Sequence, residues 1–385
     1  MMTKELLEYK NETFVPYRVC PLGAHIDHQL GIVTGFAIDK GIRMKYDKTT
    51  DGSFYVQSYN FAGDISFDYN NLPKRNSSWQ DYLVGSISAL RESYELKNGF
   101  NAYICEALPV GGLASSSAVI ITYLLTLAKV NDIILEEQEL VSLVVKVERK
   151  YLNTKVGILD PSCEIYCRKN SLLCLDTKDS SYKLIKQKQK TEFKICLIYS
   201  GVSRRLTNTL YNVRVDECKT TAFLMNSIMQ NTPIEFTDAY LRNFSYDDFE
   251  KNKYHFPVNH IKRATHFYSE MDRIKRGIEY FEKGDLANFG KVVFESGTSS
   301  IENYETGSEQ LESLHDILKR TDGVYGGRFS GAGFNGYYMA IIDPKKEEEI
   351  KHFITTEYLK IYPQYKEDFK IYFCNIEDGV KLWNV

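Results

Sequence analysis

Pro109-Val-Gly-Gly-Leu-Ala-Ser-Ser-Ser-Ala118 is the stretch on which the reading of this 385-residue chain turns. Its small residues let a backbone come close to a polyanion. The apolar segment that follows, to about Val130, reads as a helix whose first amides point back at the turn. Together these make a phosphate-binding geometry. The hydroxyls add donors and a candidate Mg²⁺ ligand. No lysine follows the glycines, so this is not a Walker A loop. Taken alone, the stretch reads equally well as a flexible loop with a serine cap at a helix start.

Working upstream, 35–46, 53–59 and 65–69 alternate apolar and polar residues and break at Asp-Gly and Asn-rich turns, the pattern of strands. A helix is predicted over 79–94, with Tyr82, Leu83, Ile87 and Leu90 on one face, and a strand over 100–108. Downstream, a helix is predicted over 136–152, ending before Gly157, with short strands at 171–175 and 193–200. The Lys-rich stretch 183–194 reads as a solvated hairpin or connection. Helices are predicted over 204–229, 260–283, 286–296 and 308–321, then a Gly-rich turn over 323–336 and a strand over 337–342. Mixed strands followed by mixed helices indicate an α+β fold of two packed domains, 1–198 and 199–385.

Hydrophobic residues make up 43% of the chain and charged residues 26%, which excludes wholesale disorder. The net charge of -3 gives no bulk pull toward nucleic acid or an anionic membrane, and neither is expected as a partner. The longest run free of charges and breakers, about 118–128, is too short for a bilayer, which needs about 20 residues. The eight cysteines sit in part within apolar runs such as 172–175 and 195–198, where a buried reduced thiol is the plain reading. The opening MMTKELLEYKNE has no apolar core, so a cytoplasmic protein with free thiols is expected. Cys163-x3-Cys167 has no second pair at metal-ligand spacing.

Three further motifs carry chemistry. Gly323–Gly336 (GVYGGRFSGAGFNG) concentrates six glycines between a helix and a strand. That implies either a backbone passing close to something or a tight connection. Arg18-Val-Cys-Pro-Leu-Gly-Ala-His25-Ile-Asp27-His28 contains His-x-x-His with an Asp, but no third metal ligand is evident. A charged cluster beside Pro21 and Gly23 suits a sugar-hydroxyl site better. In Gly157-Ile-Leu-Asp160-Pro161, a lone Asp after an apolar pair is ordinarily a turn or helix cap.

In order and spacing these four motifs resemble the GHMP kinases, most closely the galactokinase branch. Tyr17-Arg18 to Asp27-His28 is similar to the family's G-R-x-N-L-I-G-E-H-x-D-Y. PVGGLASSSA aligns without a gap to P-x-G-x-G-L-S-S-S-A, and Gly326–Gly336 to G-x-R-x-T-G-A-G-F-G-G. Trp79–Gly85 is similar to W-x-N-Y-x-x-G, and Tyr211-Asn-Val-Arg214 to Y-x-V-R. Glu295–Leu311 is similar to the family's E-S-H-x-S-L stretch, so the resemblance covers nearly the whole chain. It implies an N-terminal domain like ribosomal protein S5 domain 2 and a ferredoxin-like C-terminal domain, with the active site in the cleft between them.

The resemblance also implies roles. The family transfers the γ-phosphoryl of ATP, with Mg²⁺, to a sugar hydroxyl, and galactokinases phosphorylate the anomeric oxygen. Asp160 would take the proton from that oxygen. Arg18 would lower the hydroxyl pKa and neutralise the transferring phosphoryl. Ser117 and Glu148 would hold Mg²⁺. Gly111, Gly112, Ser115 and Ser116 would cradle the phosphates, and Trp79 would lie near the adenine. His25, Asp27 and Tyr211 would line the sugar pocket. A monomer or weak homodimer is expected, with ATP and a sugar or uronic acid as its small-molecule partners.

Four positions depart from the family pattern: Leu113, Pro161, Asn335 and Ala24. The last is informative. Galactokinases carry Glu there, facing the 6-hydroxyl of the sugar. Against a C6 carboxylate that Glu would repel by about 4 kcal/mol at ~4 Å and an effective dielectric of ~20, or roughly a thousandfold. Ala removes the repulsion. The stretch around it looks more like galacturonokinases, so D-galacturonate is the favoured acceptor and D-galactose the alternative. Arg204 and Arg205 are candidate cations for a uronate. The intact Ser115–Ala118, Asp160 and Arg18 argue against a non-catalytic sugar sensor.

Overall fold

The computed structural model describes residues 9–109, 112–154, 156–202, 210–230, 232–333 and 336–381. The first half contains β1 (Asn11–Val19), β2 (Ile32–Thr49), β3 (Ser53–Ser58), β4 (Ile65–Asp68), α1 (Gln80–Arg91), β5 (Gly99–Glu106), α2 (Ser115–Val130), α3 (Glu137–Lys146), α4 (Leu159–Tyr166), β6 (Ser171–Asp176) and β7 (Ser181–Lys186). The second contains β8 (Lys194–Tyr199), α5 (Tyr211–Ile228), α6 (Tyr246–Asn252), α7 (Val258–Lys283), α8 (Leu286–Glu302), α9 (Glu309–Lys319), β9 (Val324–Phe329), β10 (Tyr337–Ile342), α10 (Glu347–Ile361), β11 (Lys370–Cys374) and β12 (Ile376–Glu377).

The long strand β2 organises the first sheet. Residues 36–46 pair with β1, residues 42–49 with β5, and residues 32–35 with β6. The main order is β4-β3-β5-β2-β6-β7. α2 is apolar on nearly every face and almost wholly buried, as a helix enclosed by other elements must be. It packs on β1 and β2, with α1, α3 and α4 around it. That placement anchors the end of the Gly-Ser stretch against the core, with its first turn toward the cleft.

The second sheet is antiparallel, in the order β11-β8-β10-β9, and its central strand β10 is buried throughout. β8 belongs to this sheet, so the change of sheet falls before the expected boundary at 198, and β12 returns to pair with β2. The Gly-rich segment proves to be partly strand. A Cβ on Gly326 of β9 would meet the Gly290 carbonyl of α8 at 2.1 Å, so those positions are small because helix and strand press together. The expected helix 136–152 is α-helical only to Lys146 and continues as a π-turn, Val147–Tyr151, which carries Glu148. Among the described residues all eight cysteines are free, and no helix is long and apolar enough to cross a membrane.

Candidate active site

Arg18 leaves β1 and meets Asp160 on the first turn of α4. Its Nε and one terminal nitrogen both donate to Asp160 Oδ1 at 2.8 Å. The remaining terminal nitrogen donates to the Gly112 carbonyl at 3.0 Å. One guanidinium therefore joins the expected base, 142 residues away in sequence, to the expected phosphate loop, 94 residues away. Arg18 is 5% exposed and Asp160 30%. Burial alone would pull the Arg18 pKa down, but the Asp160 carboxylate outweighs it and holds the guanidinium charged. Asp160 Oδ2 accepts no hydrogen bond among the described residues, and the side chain is partly exposed. Pro161 sits in the first turn of α4, where a missing N–H costs nothing.

The Gly-rich third motif closes over the same loop. Ser330 Oγ donates to the Gly112 carbonyl at 2.7 Å, and Tyr337 Oη donates to the Pro109 carbonyl at 3.1 Å. A Cβ on Gly331 would strike Gly112 Cα at 2.6 Å, so two backbones lie in direct contact there. Ala114 adopts a left-handed conformation, φ 64°, as it turns the chain into α2. Ser115 begins that helix and is half-buried, and Leu113 is buried. Gly111, Asn335, Arg204 and Arg205 lie outside the described residues.

The two serines expected nearest the metal have different partners. Ser117 is fully buried, and its hydroxyl lies 2.7 Å from Glu164 Oε2 and 3.1 Å from the Ala114 carbonyl. Ser116, not Ser117, meets Glu148, at 3.1 Å from Oε1. On a helix, successive residues point about 100° apart, so only one of the two can face the cleft. Glu148 Oε2 and Glu164 Oε1 are buried without a hydrogen-bond partner among the described residues. Burial, reinforced by Asp160, raises the Glu148 pKa to about 8, and burial raises that of Glu164 as well. A buried carboxyl group with an orphaned oxygen beside the half-buried Ser116 hydroxyl is a donor set that fits a hard divalent cation.

The sugar-motif residues converge from three elements. His25, in a left-handed conformation with φ 65°, stacks on Tyr304 at 4.6 Å between centroids. Tyr304 Oη lies 2.9 Å from His28 Nε2. Tyr211, at the start of α5, lies 6.3 Å from both imidazoles. Burial pulls the His25 pKa well below its ordinary value and His28 to about 3, so both are neutral donors and acceptors rather than cations. His25 Nε2 is buried without a partner among the described residues. Asp27 is brought against Gly157, and burial, with Asp160 nearby, raises its pKa to about 6. Ala24 is 7% exposed, and its carbonyl is held by His266 at 3.1 Å. Trp79 stands at the entry to α1, stacked on Phe61 at 6.3 Å.

Motif reading passed over Glu164, whose signal is its four-residue spacing from Asp160 on one helical face. It gave no role to Gly157, which faces Asp27, or to Arg328, the arginine of the third motif, and it passed over Glu270, for which the sequence gives no periodic or spacing signal.

The sequence profile of the GHMP kinases N terminal domain matches residues 81–168, the span from α1 through the phosphate loop to α4. A galacturonokinase of Arabidopsis thaliana is 34% identical, with 95% of this chain and 92% of the relative covered. A galactokinase of Fusobacterium nucleatum is 28% identical over 98% of this chain and 96% of its own. The crystal structure of Lactococcus lactis galactokinase complexed with galactose superposes with a TM-score of 0.87 at 25% identity, covering 97% of this chain and 95% of that one. With the Gly-Ser loop, the Arg18–Asp160 pair and the Gly-rich strap brought into contact, and with likeness along nearly the whole chain, the protein belongs to the GHMP kinase family, in its galactokinase-like branch.

Proposed function

We propose that the protein is an ATP-dependent sugar 1-kinase that transfers the γ-phosphoryl of ATP to the anomeric hydroxyl of a galactose-type sugar, D-galacturonate foremost. The observation that carries the reading is the Arg18 guanidinium, which touches Asp160 Oδ1 and the Gly112 carbonyl at once. It lies where a hydroxyl acceptor and a phosphoryl donor would meet.

Asp160 Oδ2 accepts the proton of the attacking hydroxyl. Arg18 holds the Asp160 carboxylate in place through Oδ1 and draws charge from the transferring phosphoryl. Phosphoryl transfer asks for little covalent help, so positioning and electrostatic stabilisation supply most of the rate. The helix N-terminus at Ser115, with Gly112 and Ser116, cradles the phosphates. Ser116 with Glu148 are the residues that would hold Mg²⁺, which would supply positive charge against the phosphates. Asp27, His25 and Tyr211 bracket the sugar hydroxyls, and the Trp79–Phe61 pair offers an apolar surface for adenine.

The choice of acceptor rests on Ala24. A methyl group at this buried position leaves room for a C6 carboxylate and brings no like charge toward it. The likeness to a galacturonokinase supports the same choice. The likeness to galactokinases, including one complexed with galactose, supports the second reading, D-galactose. Steady-state assays with ATP across galacturonate, glucuronate, galactose and glucose test both. Galacturonate should give the highest kcat/KM, and a preference for galactose would overturn the first choice.

A further inference from the structure

The loop that presents Ala24, His25 and Asp27 is not held by its own domain alone. Two residues one helical turn apart on α7, His266 and Glu270, reach consecutive backbone groups of that loop. The Gly23 N–H donates to Glu270 Oε1 at 2.7 Å, and His266 Nε2 lies 3.1 Å from the Ala24 carbonyl. Both side chains are fully buried.

The hydrogen bonds have a fixed direction. A carbonyl can only accept, so His266 carries its proton on Nε2, and Nδ1 must accept. Ser299 Oγ, 3.0 Å away, supplies that proton, and Asn303 Nδ2 donates to the same Oγ at 3.1 Å. On the other side, Arg273 Nε donates to Glu270 Oε2 at 2.7 Å, and Ser296 Oγ donates to Oε1 at 2.7 Å. Arg328 of β9 donates to Ser296 Oγ at 2.5 Å and to Ser300 Oγ at 3.0 Å, with its guanidinium 3.7 Å from Glu270 Oε1. Burial opposes the charge on Glu270, but Arg273 and then Arg328 outweigh it and hold its pKa at about 2. An acid this deep is retained only where its partners are in place.

We propose that His266 and Glu270 are positioning residues for the acceptor sugar, acting through the backbone of Gly23 and Ala24. We propose further that Arg328 of the Gly-rich motif serves this brace and not the nucleotide. Arg328 is fully buried, while Ser330, two residues on, is the member of the motif that reaches the phosphate loop. The motif thus braces the sugar loop with one residue and the phosphate loop with another. The inference rests on the sugar-kinase reading for its acceptor, but the brace itself has a readout that needs no turnover.

His266→Phe keeps the ring within its aromatic neighbours and deletes the donor to Ala24. His266→Gln restores an N–H at similar reach. The KM for the best sugar acceptor should rise about tenfold in His266→Phe, the worth of one buried hydrogen bond. The KM for ATP should stay within about twofold. Amide exchange of the segment 20–28, followed by mass spectrometry, should quicken about tenfold, with 324–342 unchanged. His266→Gln should recover both. Ser299→Ala, a gentler change that removes only the donor to Nδ1, should shift both readouts the same way by about threefold and covers a His266→Phe protein that fails to fold. Unchanged exchange over 20–28, equal rises in both KM values, or no recovery in His266→Gln would overturn the proposal. A wild-type protein that phosphorylates no sugar would sink the kinase reading, yet the exchange data would still decide the brace.

Discussion

Gly157→Ala adds a single methyl group and aims it at one functional atom. A Cβ built there lies 2.1 Å from Asp27 Oδ2, 2.9 Å from its Cγ and 3.4 Å from its Cβ. Non-bonded contacts settle near about 3.5 Å, so the carboxylate must retreat by more than about 1 Å. Asp27 is the carboxylate expected to fix the sugar hydroxyls, and a displacement of about 1 Å in a positioned group can cost about a hundredfold in rate. The acceptor kcat/KM should therefore fall by about ten- to a hundredfold, with the KM for ATP within about twofold. Overpacking of this size costs about 1–3 kcal/mol, so the protein should remain folded with a lower Tm. A coupled assay of ADP release, titrating sugar at saturating ATP and then ATP at saturating sugar, separates the two substrates. An acceptor kcat/KM within about twofold of wild type in a folded variant would refute the argument, because Asp27 would then not be bearing on the acceptor.

Other expectations follow from the same geometry. Asp160→Asn should lower kcat by about 10²- to 10⁴-fold while ATP still binds, and near-normal turnover in a folded variant would remove Asp160 from the base role. Ser116→Ala should raise the Mg²⁺ concentration needed for half-maximal rate more than Ser117→Ala does, whereas Ser117→Ala should mainly lower Tm by unpairing Glu164; the reverse order in a Mg²⁺ titration would restore Ser117 as the ligand. Ala24→Glu should cut the galacturonate-to-galactose ratio of kcat/KM by at least about a hundredfold, from about half of the ~4 kcal/mol repulsion after discounting for solvent plus ~1–2 kcal/mol gained by the 6-hydroxyl of galactose on the new carboxylate. An unchanged ratio would mean that residue 24 does not face C6. The Asp27 pKa stands at about 6 in the fold against 3.8 ordinarily, so the native state binds more protons there and Asp27 costs stability as pH rises. The Tm advantage of Asp27→Asn over wild type should be absent below pH 3.8, grow toward pH 6 and level off above it, and a pH-independent difference would contradict the buried-carboxylate account.

The sequence alone determined the family, because close backbone contact with phosphate demands small residues in a fixed order. PVGGLASSSA admits few other uses once Arg18, Asp160 and the Gly-rich strap stand at the right intervals. Local pattern also placed α2, α7 and β10, whose apolar periodicity or composition leaves little choice. Tertiary structure alone decided which serine faces Glu148, since Ser116 and Ser117 are chemically identical and only the rotation of α2 against the π-turn of Glu148 and against α4 separates them. It decided that Gly326 is small to let β9 lie on α8, which a turn-rich reading of the same glycines does not show. It also decided that Glu270 and Arg328 are partners of the sugar loop. Gly23 and Glu270 stand 247 residues apart, and no local rule relates a backbone amide in one domain to a buried acid on a helix of the other. Local propensities act over a few residues, whereas a buried charge is tolerated only when every partner arrives from the folded whole.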